Sequence, residues 1–132
     1  MKDRFHQPIK EALQLAGWDV RDDHRLKIGV RTLHIDLSAS MLTADRGRES
    51  IAVEVKDFNR YHIDVVYLAI GQYLAYKSWL ARKEPHRKLF LGVSDVVAQS
   101  LFLTEEMQAI VQDYDIRLLT VNIETRRIIT WN

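Results

Sequence analysis

Apolar and polar residues recur along the first half of the chain with two different periods. Phe5, Ile9 and Leu13 recur at helical spacing, which predicts an amphipathic helix over residues 3–16 that Gly17 ends. Short alternating segments follow, and alternation is typical of strands with one covered face. The pattern predicts strands at 18–20, 26–30, 33–37 and 51–56, with turns at Asp22-Asp23 and at 45–47.

The second half of the chain alternates longer helices with strands. Residues 61–82 form the longest helical segment and are apolar on almost all sides, so we expect this helix to be buried on both flanks. Adjacent strands combined with strand-helix-strand crossovers favour an α/β fold, in which a mixed sheet carries helices on both faces. We expect residues 1–132 to form a single domain. The remaining predicted elements are a buried strand at 88–93, a helix at 102–113, a strand at 116–121, a turn at 122–125 and a closing strand at 126–131.

The composition indicates the class of protein, a folded domain, but says little about its function. Of 132 residues, 47% are hydrophobic and 28% charged, which suits a folded soluble domain. The formal net charge of +1 indicates no partner, and the basic groups are either solvated surface or local phosphate contacts. These groups are Arg46 with Arg48, the set Arg82, Lys83, Arg87 and Lys88, and Arg126 with Arg127.

Several classes of protein are disfavoured by what the chain lacks. It has no cysteine, which excludes disulfides, thiolate nucleophiles and cysteine-based zinc sites. The five histidines show no metal-ligand spacing. No signal peptide is visible, and the longest apolar stretch, 63–76, is too short and too polar to cross a membrane. We therefore expect a cytoplasmic protein without membrane contact.

Two charged residues stand in a strand that otherwise resembles the interior. Alternation over 51–56 places Glu54 and Lys56 on one face, with Val53 and Val55 on the other. Unpaired buried ions would cost several kcal/mol, so these charges must pair, face water or bind something. An exposed Glu-Lys pair on an ordinary sheet is the simplest interpretation of this pattern.

A third charged residue favours a metal site instead. Asp36 lies between Ile35 and Leu37 in a neighbouring strand, and we expect those two side chains on the face opposite to Asp36. A hairpin-like connection can bring Asp36 beside Glu54, where the two carboxylates repel each other unless a cation lies between them. Mg²⁺ takes one or two carboxylates together with water and phosphate oxygens.

The chain has Asp36, then a gap of 18 positions (54 − 36), then Glu54-Val55-Lys56. This order resembles the signature of the PD-(D/E)xK nuclease superfamily. This resemblance implies a restriction-endonuclease-like fold with Mg²⁺ or Mn²⁺ as cofactor. Asp36, Glu54 and the Val55 carbonyl would be the metal ligands, and Lys56 would position or deprotonate the attacking water. The sequence departs from the signature at Ile35, where the motif has proline.

A Gln-x-x-x-Tyr element in the long helix adds to this resemblance. Gln72 and Tyr76 lie one turn apart on the same side of the helix. A branch of the same nucleases has such an element facing the active site, which implies a catalytic role for Gln72 with support from Tyr76. The alternative is a core glutamine bonded to tyrosine or backbone, since buried polar groups need partners.

The first helix offers two further candidates. The superfamily often places an acidic residue there, and Glu11 is the candidate, although helical periodicity points it away from the apolar stripe. A surface position is therefore the stronger interpretation of Glu11. His6 borders the stripe and is better placed to approach a site, either as a supporting residue or as a core histidine.

Nearly the whole chain resembles the XisH family, the fdxN element excision controlling factors of cyanobacteria. The resemblance implies a role in programmed excision of a DNA element, together with DNA, a partner protein of the XisI type and a site-specific recombinase. The segment 57–62 departs from the family, which usually carries a serine-containing loop there. The matching segments are 2–6, Ala12-Leu13 with Gly17-Trp18, 35–37, 51–56, 69–73 with Tyr76, and 128–131.

Two functions remain open from the sequence. The first is a metal-dependent DNA endonuclease centred on Asp36, Glu54 and Lys56. The second is a non-catalytic regulatory or binding module on a nuclease-like fold, acting through the XisI-type partner or the recombinase. The absence of a DNA-recognition motif favours the second, and the intact charged trio favours the first. A homodimer is a further expectation, through the apolar long helix or the strand edge near Trp131.

Overall fold

The computed structural model describes residues 4–58 and 62–132. The start of the predicted first helix, the first residue of the predicted long helix and the middle of the divergent segment 57–62 lie outside these residues. The helices are α1 (His6–Leu15), α2 (Ile63–Lys83), α3 (Asp95–Val97) and α4 (Glu105–Asp113). The strands are β1 (Asp19–Ile28), β2 (Arg31–Thr43), β3 (Gly47–Val55), β4 (Arg87–Ser94), β5 (Leu118–Asn122) and β6 (Arg127–Trp131).

In the described part of the chain, the six strands form one mixed sheet in the order β1-β2-β3-β4-β5-β6. The pairs β1–β2, β2–β3 and β5–β6 are antiparallel, whereas β3–β4 and β4–β5 are parallel. The parallel pairs require crossovers, which α2 and the α3–α4 segment supply. The α/β class and the mixed sheet predicted from the sequence are confirmed.

Helices cover both faces of the sheet, as expected. Alternate residues of β3 separate into two cores, with Ala52 on the side of α2 and α4, and Val53 on the side of α1. Ile9 and Leu13 of α1 are fully buried against the second face. Central strands are therefore covered on both sides, which accounts for the continuous apolar run in β4.

Gly92 allows the close packing between α1 and the sheet. A Cβ atom added at Gly92 would lie 2.8 Å from a methyl of Val53 and 3.3 Å from Ile9. Because real Cβ atoms do not approach other atoms that closely, no larger residue fits this position without moving its neighbours. The main chain of β4 therefore lies directly beneath α1.

The turn predicted at Asp22-Asp23 was wrong. β1 runs without interruption through both residues, and the turn lies at Gly29-Val30, where the sequence pattern predicted strand. Gly29 has a φ of +58° and Ile28 pairs with Arg31, which is typical of a two-residue hairpin. The polar pair did not end the strand because β1 lies at the sheet edge, where side chains reach solvent.

The two faces of the β1–β2 hairpin exchange sides at one residue pair. Leu37 packs on the α1 side, whereas Ile35 packs on the α2 side, so the expectation that they share a face was wrong. Asp22 pairs with Leu37 and His24 with Ile35, which places Asp23 and Asp36 at the rung between. Asp23 has a φ of +55°, a conformation that breaks strand alternation. Beyond this rung the hairpin folds towards α2.

The long helix α2 is buried on one side only, which corrects the expectation of burial on both flanks. Val66 and Tyr73 face the core, and the Tyr73 hydroxyl donates to Leu89 O at 2.8 Å while accepting from Arg117 N at 3.0 Å. The opposite side presents large apolar side chains to solvent: Ile63, Val65, Tyr67 and Leu68.

The helix predicted at 102–113 begins three residues later. Ala98–Phe102 forms a wide π-type turn, and Thr104 caps α4 by accepting from Met107 N. The closing strand also starts one residue late, because Arg126 adopts a φ of +61° in the turn before β6. Among the described residues, no helix is long and apolar enough to span a membrane.

Candidate active site

The carboxylates of Asp36 and Glu54 lie where β2 and β3 separate. The antiparallel ladder ends at the pair Leu37–Val53, and the next rung would place Asp36 opposite Glu54. Hydrogen bonds to the two side-chain carboxylates replace the backbone ladder there. Asp36 N donates to Glu54 Oε1 at 3.2 Å, and Val55 N donates to Asp36 Oδ2 at 2.8 Å. We call this arrangement of Asp36, Glu54 and Val55 the strand fork.

The strand fork holds Glu54 in an unusual protonation state for a carboxyl group. Glu54 is 6% exposed, and burial raises its pKa to about 8. The negative charge of Asp36 and a hydrogen bond between the two carboxyl groups act in the same direction. The ammonium of Lys56 acts in the opposite direction but does not offset burial. Without metal, these effects favour the protonated form of Glu54 at neutral pH.

Lys56 extends the fork by one residue. Its Nζ lies 3.8 Å from Glu54 Oε2, and its side chain is partly buried. Its main-chain N donates to Gly92 O at 3.0 Å, so the parallel pairing with β4 continues past the end of β3. The rigid strand therefore holds the Lys56 backbone, while the ammonium reaches the solvent boundary.

The donor set at the fork fits a hard divalent cation. In each carboxylate one oxygen accepts a hydrogen bond from a backbone N–H, and the second oxygen of Glu54 lies 3.8 Å from Lys56 Nζ. A cation bound by both carboxylates would take the place of a proton on Glu54 and remove the repulsion between Asp36 and Glu54. The described residues contain no group of three or more Asp, Glu, His or Cys side chains around one point. Mg²⁺ and Mn²⁺ suit such a two-carboxylate site, because they keep water as further ligands.

Gln72 and Tyr76 face the fork from α2. Gln72 Nε2 donates to Tyr76 Oη at 3.0 Å. Burial, followed by the negative charges of Glu54 and Asp36, raises the pKa of Tyr76, which places its ring on the carboxylate side of the sheet. Tyr76 is therefore close enough to the fork to be affected by its charges, and Gln72 bonds its hydroxyl.

A groove of about 660 Å³ runs between α2 and the folded-over hairpin. Tyr76 and Gln72 lie on its α2 wall together with Trp79. Arg31 and His34 line the hairpin wall, and His34 lies two positions before Asp36 in the sequence. The groove thus joins the Gln72–Tyr76 pair to solvent and to the side chains of the hairpin.

His6 lies on the other face of the sheet, against β1. It is 3% exposed, and its Nε2 lies 2.7 Å from Asp22 Oδ1, while Lys10 Nζ donates to Asp22 Oδ2 at 2.8 Å. Among residues 4–58 and 62–132, its Nδ1 is the buried side-chain nitrogen or oxygen that has no hydrogen-bond partner. His6 belongs to a cluster with Asp22 and Lys10, and the contacts found for it do not include the carboxylate pair.

Glu11 lies on the surface of α1, as the periodicity indicated. Its carboxylate accepts hydrogen bonds from Arg126 at 3.0 Å and from Gln7 at 3.4 Å, and these bonds lower the pKa of Glu11. Arg126 precedes the edge strand β6, three strands from β3. The structure therefore does not bring Glu11 together with Asp36 and Glu54.

The sequence pattern missed two acidic residues near these elements. Asp22 was assigned to a turn, although the even positions from Val20 to Ile28 mark one continuous strand. Asp57 directly follows Lys56 and forms an ion pair with Arg4, which ties the start of α1 to the end of β3. The position of Asp57 directly after Glu-x-Lys was the feature of the sequence that could have indicated this residue.

Fold and fork together define a class: a mixed α/β protein with a buried carboxylate pair and a lysine where two central strands separate. The XisH protein family model matches residues 1–129, and the chain belongs to the XisH family. A solved XisH family protein from Nostoc punctiforme is 30% identical, covers 98% of both chains and has a TM-score of 0.84. An fdxN element excision controlling factor from Anabaena variabilis is 29% identical, with 98% coverage of both chains and a TM-score of 0.85. No curated protein matches the chain significantly.

Proposed function

We propose that this protein is a Mg²⁺- or Mn²⁺-dependent DNA endonuclease of the PD-(D/E)xK type, with the strand fork as its catalytic centre. The observation that carries the proposal is the reciprocal bonding of Asp36 and Glu54 at the fork. Two carboxylates held beside each other, with Glu54 buried and Asp36 partly buried, repel each other without a cation, whereas a metal site requires them.

Each residue of the fork has a separate task in phosphodiester hydrolysis. Asp36 and Glu54 hold the metal, and the Val55 main chain completes that side of the site. A bound divalent ion polarises the phosphate and lowers the pKa of a water molecule beside it. Lys56 positions that water and offsets the negative charge that develops at phosphorus. Tyr76, oriented by Gln72, limits solvent on the α2 side.

The groove between α2 and the hairpin supports DNA as the substrate. Arg31 offers a phosphate contact on one wall, and Tyr76, whose pKa is raised in part by the charges of Glu54 and Asp36, lines the other wall. The related Anabaena protein is described as an fdxN element excision controlling factor. We propose the corresponding biological role here, cleavage during excision of a DNA element, with specificity supplied by a site-specific recombinase or an XisI-type protein.

Cleavage of supercoiled and branched DNA in Mg²⁺ or Mn²⁺ tests the proposal. We expect cutting by the wild-type protein and by Glu106→Gln, whose side chain is exposed on α4 and serves as the matched control. Glu54→Gln keeps the shape of the side chain and mimics its protonated form, so it should fold but not cut. Equal cutting by Glu54→Gln and wild type would contradict the proposal.

A second function is favoured by the exposed face of α2. Val65 and Leu68 lie about one turn apart on α2 and are 51% and 74% exposed, so they form a pair of adjacent apolar side chains in solvent. This face suits a protein partner, and we propose the XisI-type protein as that partner. The chain would then act as a regulatory module on a nuclease-like fold.

Binding of the purified XisI-type protein separates the two functions. Leu68→Glu should abolish binding, whereas Leu103→Glu, at another exposed leucine, should not. A folded protein that binds the partner through Leu68 but cuts no DNA with either metal would establish the regulatory module and overturn the nuclease. Binding unaffected by Leu68→Glu would overturn this surface.

A further inference from the structure

A second concave surface lies on the α1 face of the sheet, at the beginning of β3 and β4. It has a volume of about 620 Å³, within the usual range of small-molecule sites. Ser50 and Ile51 form its floor. Ser50 lies four residues from Glu54, roughly 13 Å along the strand at the usual rise per residue. We call this surface the tryptophan groove, and it is separate from the strand fork.

One wall of the tryptophan groove is aromatic. The rings of Trp18 and Trp131 lie 5.7 Å apart, and Phe90 meets Trp131 edge-on at 5.1 Å. Trp131 remains 39% exposed despite these contacts. The neighbours fix the indole in place while part of it faces the groove, which is the arrangement of a stacking platform.

The remaining walls are basic. Arg46, Arg48, His86 and Lys88 line the groove, together with a single carboxylate from Glu49. Arg46 pairs with Glu49 at 3.0 Å, which neutralises that carboxylate. Within the described ranges, Arg48 and Lys88 form no ion pair, and Arg48 donates only to the Ser40 hydroxyl. Of these two, Lys88 is therefore the cation available to an anionic ligand, because the hydrogen bond to Ser40 directs Arg48 over β2, away from β4.

We propose that the tryptophan groove binds a nucleotide unit, with the base stacked on Trp131 and the phosphate bound by Lys88. An inorganic anion would leave the aromatic wall unused, and an apolar ligand would leave the lysine unused. Aromatic platforms combined with basic side chains are the common means of holding single nucleotides and single strands. The nucleotide is either free or part of a single-stranded chain, and both share this chemistry.

The proposal does not depend on the proposed hydrolysis. The groove lies on the opposite sheet face from Glu54, so Glu54→Gln should bind nucleotide like the wild type. Loss of cleavage with retained binding, or the reverse, therefore distinguishes failure of one proposal from failure of the other.

Tryptophan fluorescence of a Trp79→Phe protein measures binding, because only Trp18 and Trp131 then report. The probes are deoxyadenosine monophosphate, deoxyadenosine, inorganic phosphate and a single-stranded oligonucleotide. We expect quenching by the monophosphate or the oligonucleotide, and weaker effects from deoxyadenosine and phosphate alone. Quenching by the monophosphate indicates a free nucleotide, whereas quenching by the oligonucleotide alone indicates a nucleotide within a strand.

Surface variants locate the site without risk to the fold. Lys88→Ala should weaken binding by about tenfold, the usual loss for one charged hydrogen bond, whereas Lys83→Ala on α2 should have no effect. For the oligonucleotide, Lys88→Ala should also reduce the slope of log affinity against log salt by about 0.7. No quenching by any probe, quenching by inorganic phosphate equal to that by nucleotide, or unchanged binding in Lys88→Ala would overturn the proposal.

Discussion

The two ends of strand β3 carry opposite charge in opposite surroundings. At the Val55 end, Glu54 is 6% exposed and its pKa is raised to about 8. At the Gly47 end, Arg48 is exposed and borders an open aromatic groove. The acidic group has lost its water, whereas the basic groups have kept theirs.

This difference shows that burial, rather than residue type, decides which charges can do chemistry. The buried carboxyl group of Glu54 has a raised pKa and a stronger tendency to bind a cation, because desolvation outweighs the opposing effect of Lys56. Exposed arginine and lysine remain charged and attract anions weakly. The acidic end is therefore suited to holding a metal tightly, and the basic end to holding a ligand reversibly.

Removing the lysine of the acidic end should have the largest effect. We expect Lys56→Ala to reduce metal-dependent DNA cleavage by at least about 10²-fold, the usual loss when a charge-stabilising group is removed. Mn²⁺ binding should be retained, because Asp36 and Glu54 remain and the competing ammonium at 3.8 Å is gone. Lys83→Ala is the matched control in both measurements, and equal cleavage by the two variants would refute the assigned task of Lys56.

Packing at the same end gives the next largest effect. Gly92→Ala should destabilise the fold by about 1–3 kcal/mol, because its Cβ would overlap Val53 beneath α1. Gly71→Ala in α2, where nothing lies within 4 Å, should stabilise by about 0.5–1 kcal/mol. Denaturant unfolding measures both changes. Equal effects of the two substitutions would mean that α1 does not lie as close to β4 as described.

The pH dependence of stability sharpens the contrast between the two ends. Without metal, the native state keeps a proton on Glu54 up to a pH of about 8, whereas the unfolded chain releases it near 4.5. The native state therefore binds more protons in this interval, and the free energy of unfolding decreases as pH rises through it. Thermal unfolding in a chelator should show this decrease for the wild type and a smaller one for Glu54→Gln. Parallel curves for the two proteins would place Glu54 in solvent.

The smallest effect is expected from the acidic residue of α1. Glu11 bonds Arg126 on the surface, away from β3, so Glu11→Gln should leave cleavage and Mn²⁺ binding within about twofold of wild type, as for most exposed substitutions. Because the pair with Arg126 is solvent-exposed, its loss should leave the midpoint of thermal unfolding close to that of the wild type. A large loss of cleavage in this variant would bring the first helix back into the site.

Local patterning was sufficient for most elements and for the site trio. Alternation in β3 fixed which side chains share a face, and the spacing of Asp36 and Glu54 indicated their proximity. Helical periodicity likewise separated Glu11 from the apolar stripe of α1. These features depend on residues near each other in sequence or on a single strand pairing.

Features that depend on tertiary geometry could not be predicted in this way. The turnover of the hairpin at Asp23 and Asp36 arises from the backbone φ of Asp23, which the sequence pattern suggested as a turn. Which side of α2 is exposed depends on which other elements pack against the helix. Its apolar residues alone therefore predicted burial on both flanks, and that prediction was wrong. The tryptophan groove brings Trp18 and Trp131 together from opposite ends of the chain.

Calorimetric titration of Mn²⁺ into the metal-free protein tests the central claim, that the strand fork holds a divalent cation. The account predicts a single site whose occupation releases a proton near neutral pH, since the cation displaces the proton from Glu54. Asp36→Asn and Glu54→Gln should each abolish this binding, and Glu106→Gln should not. Mn²⁺ binding that survives both fork substitutions, or its absence from the folded wild type, would contradict the account.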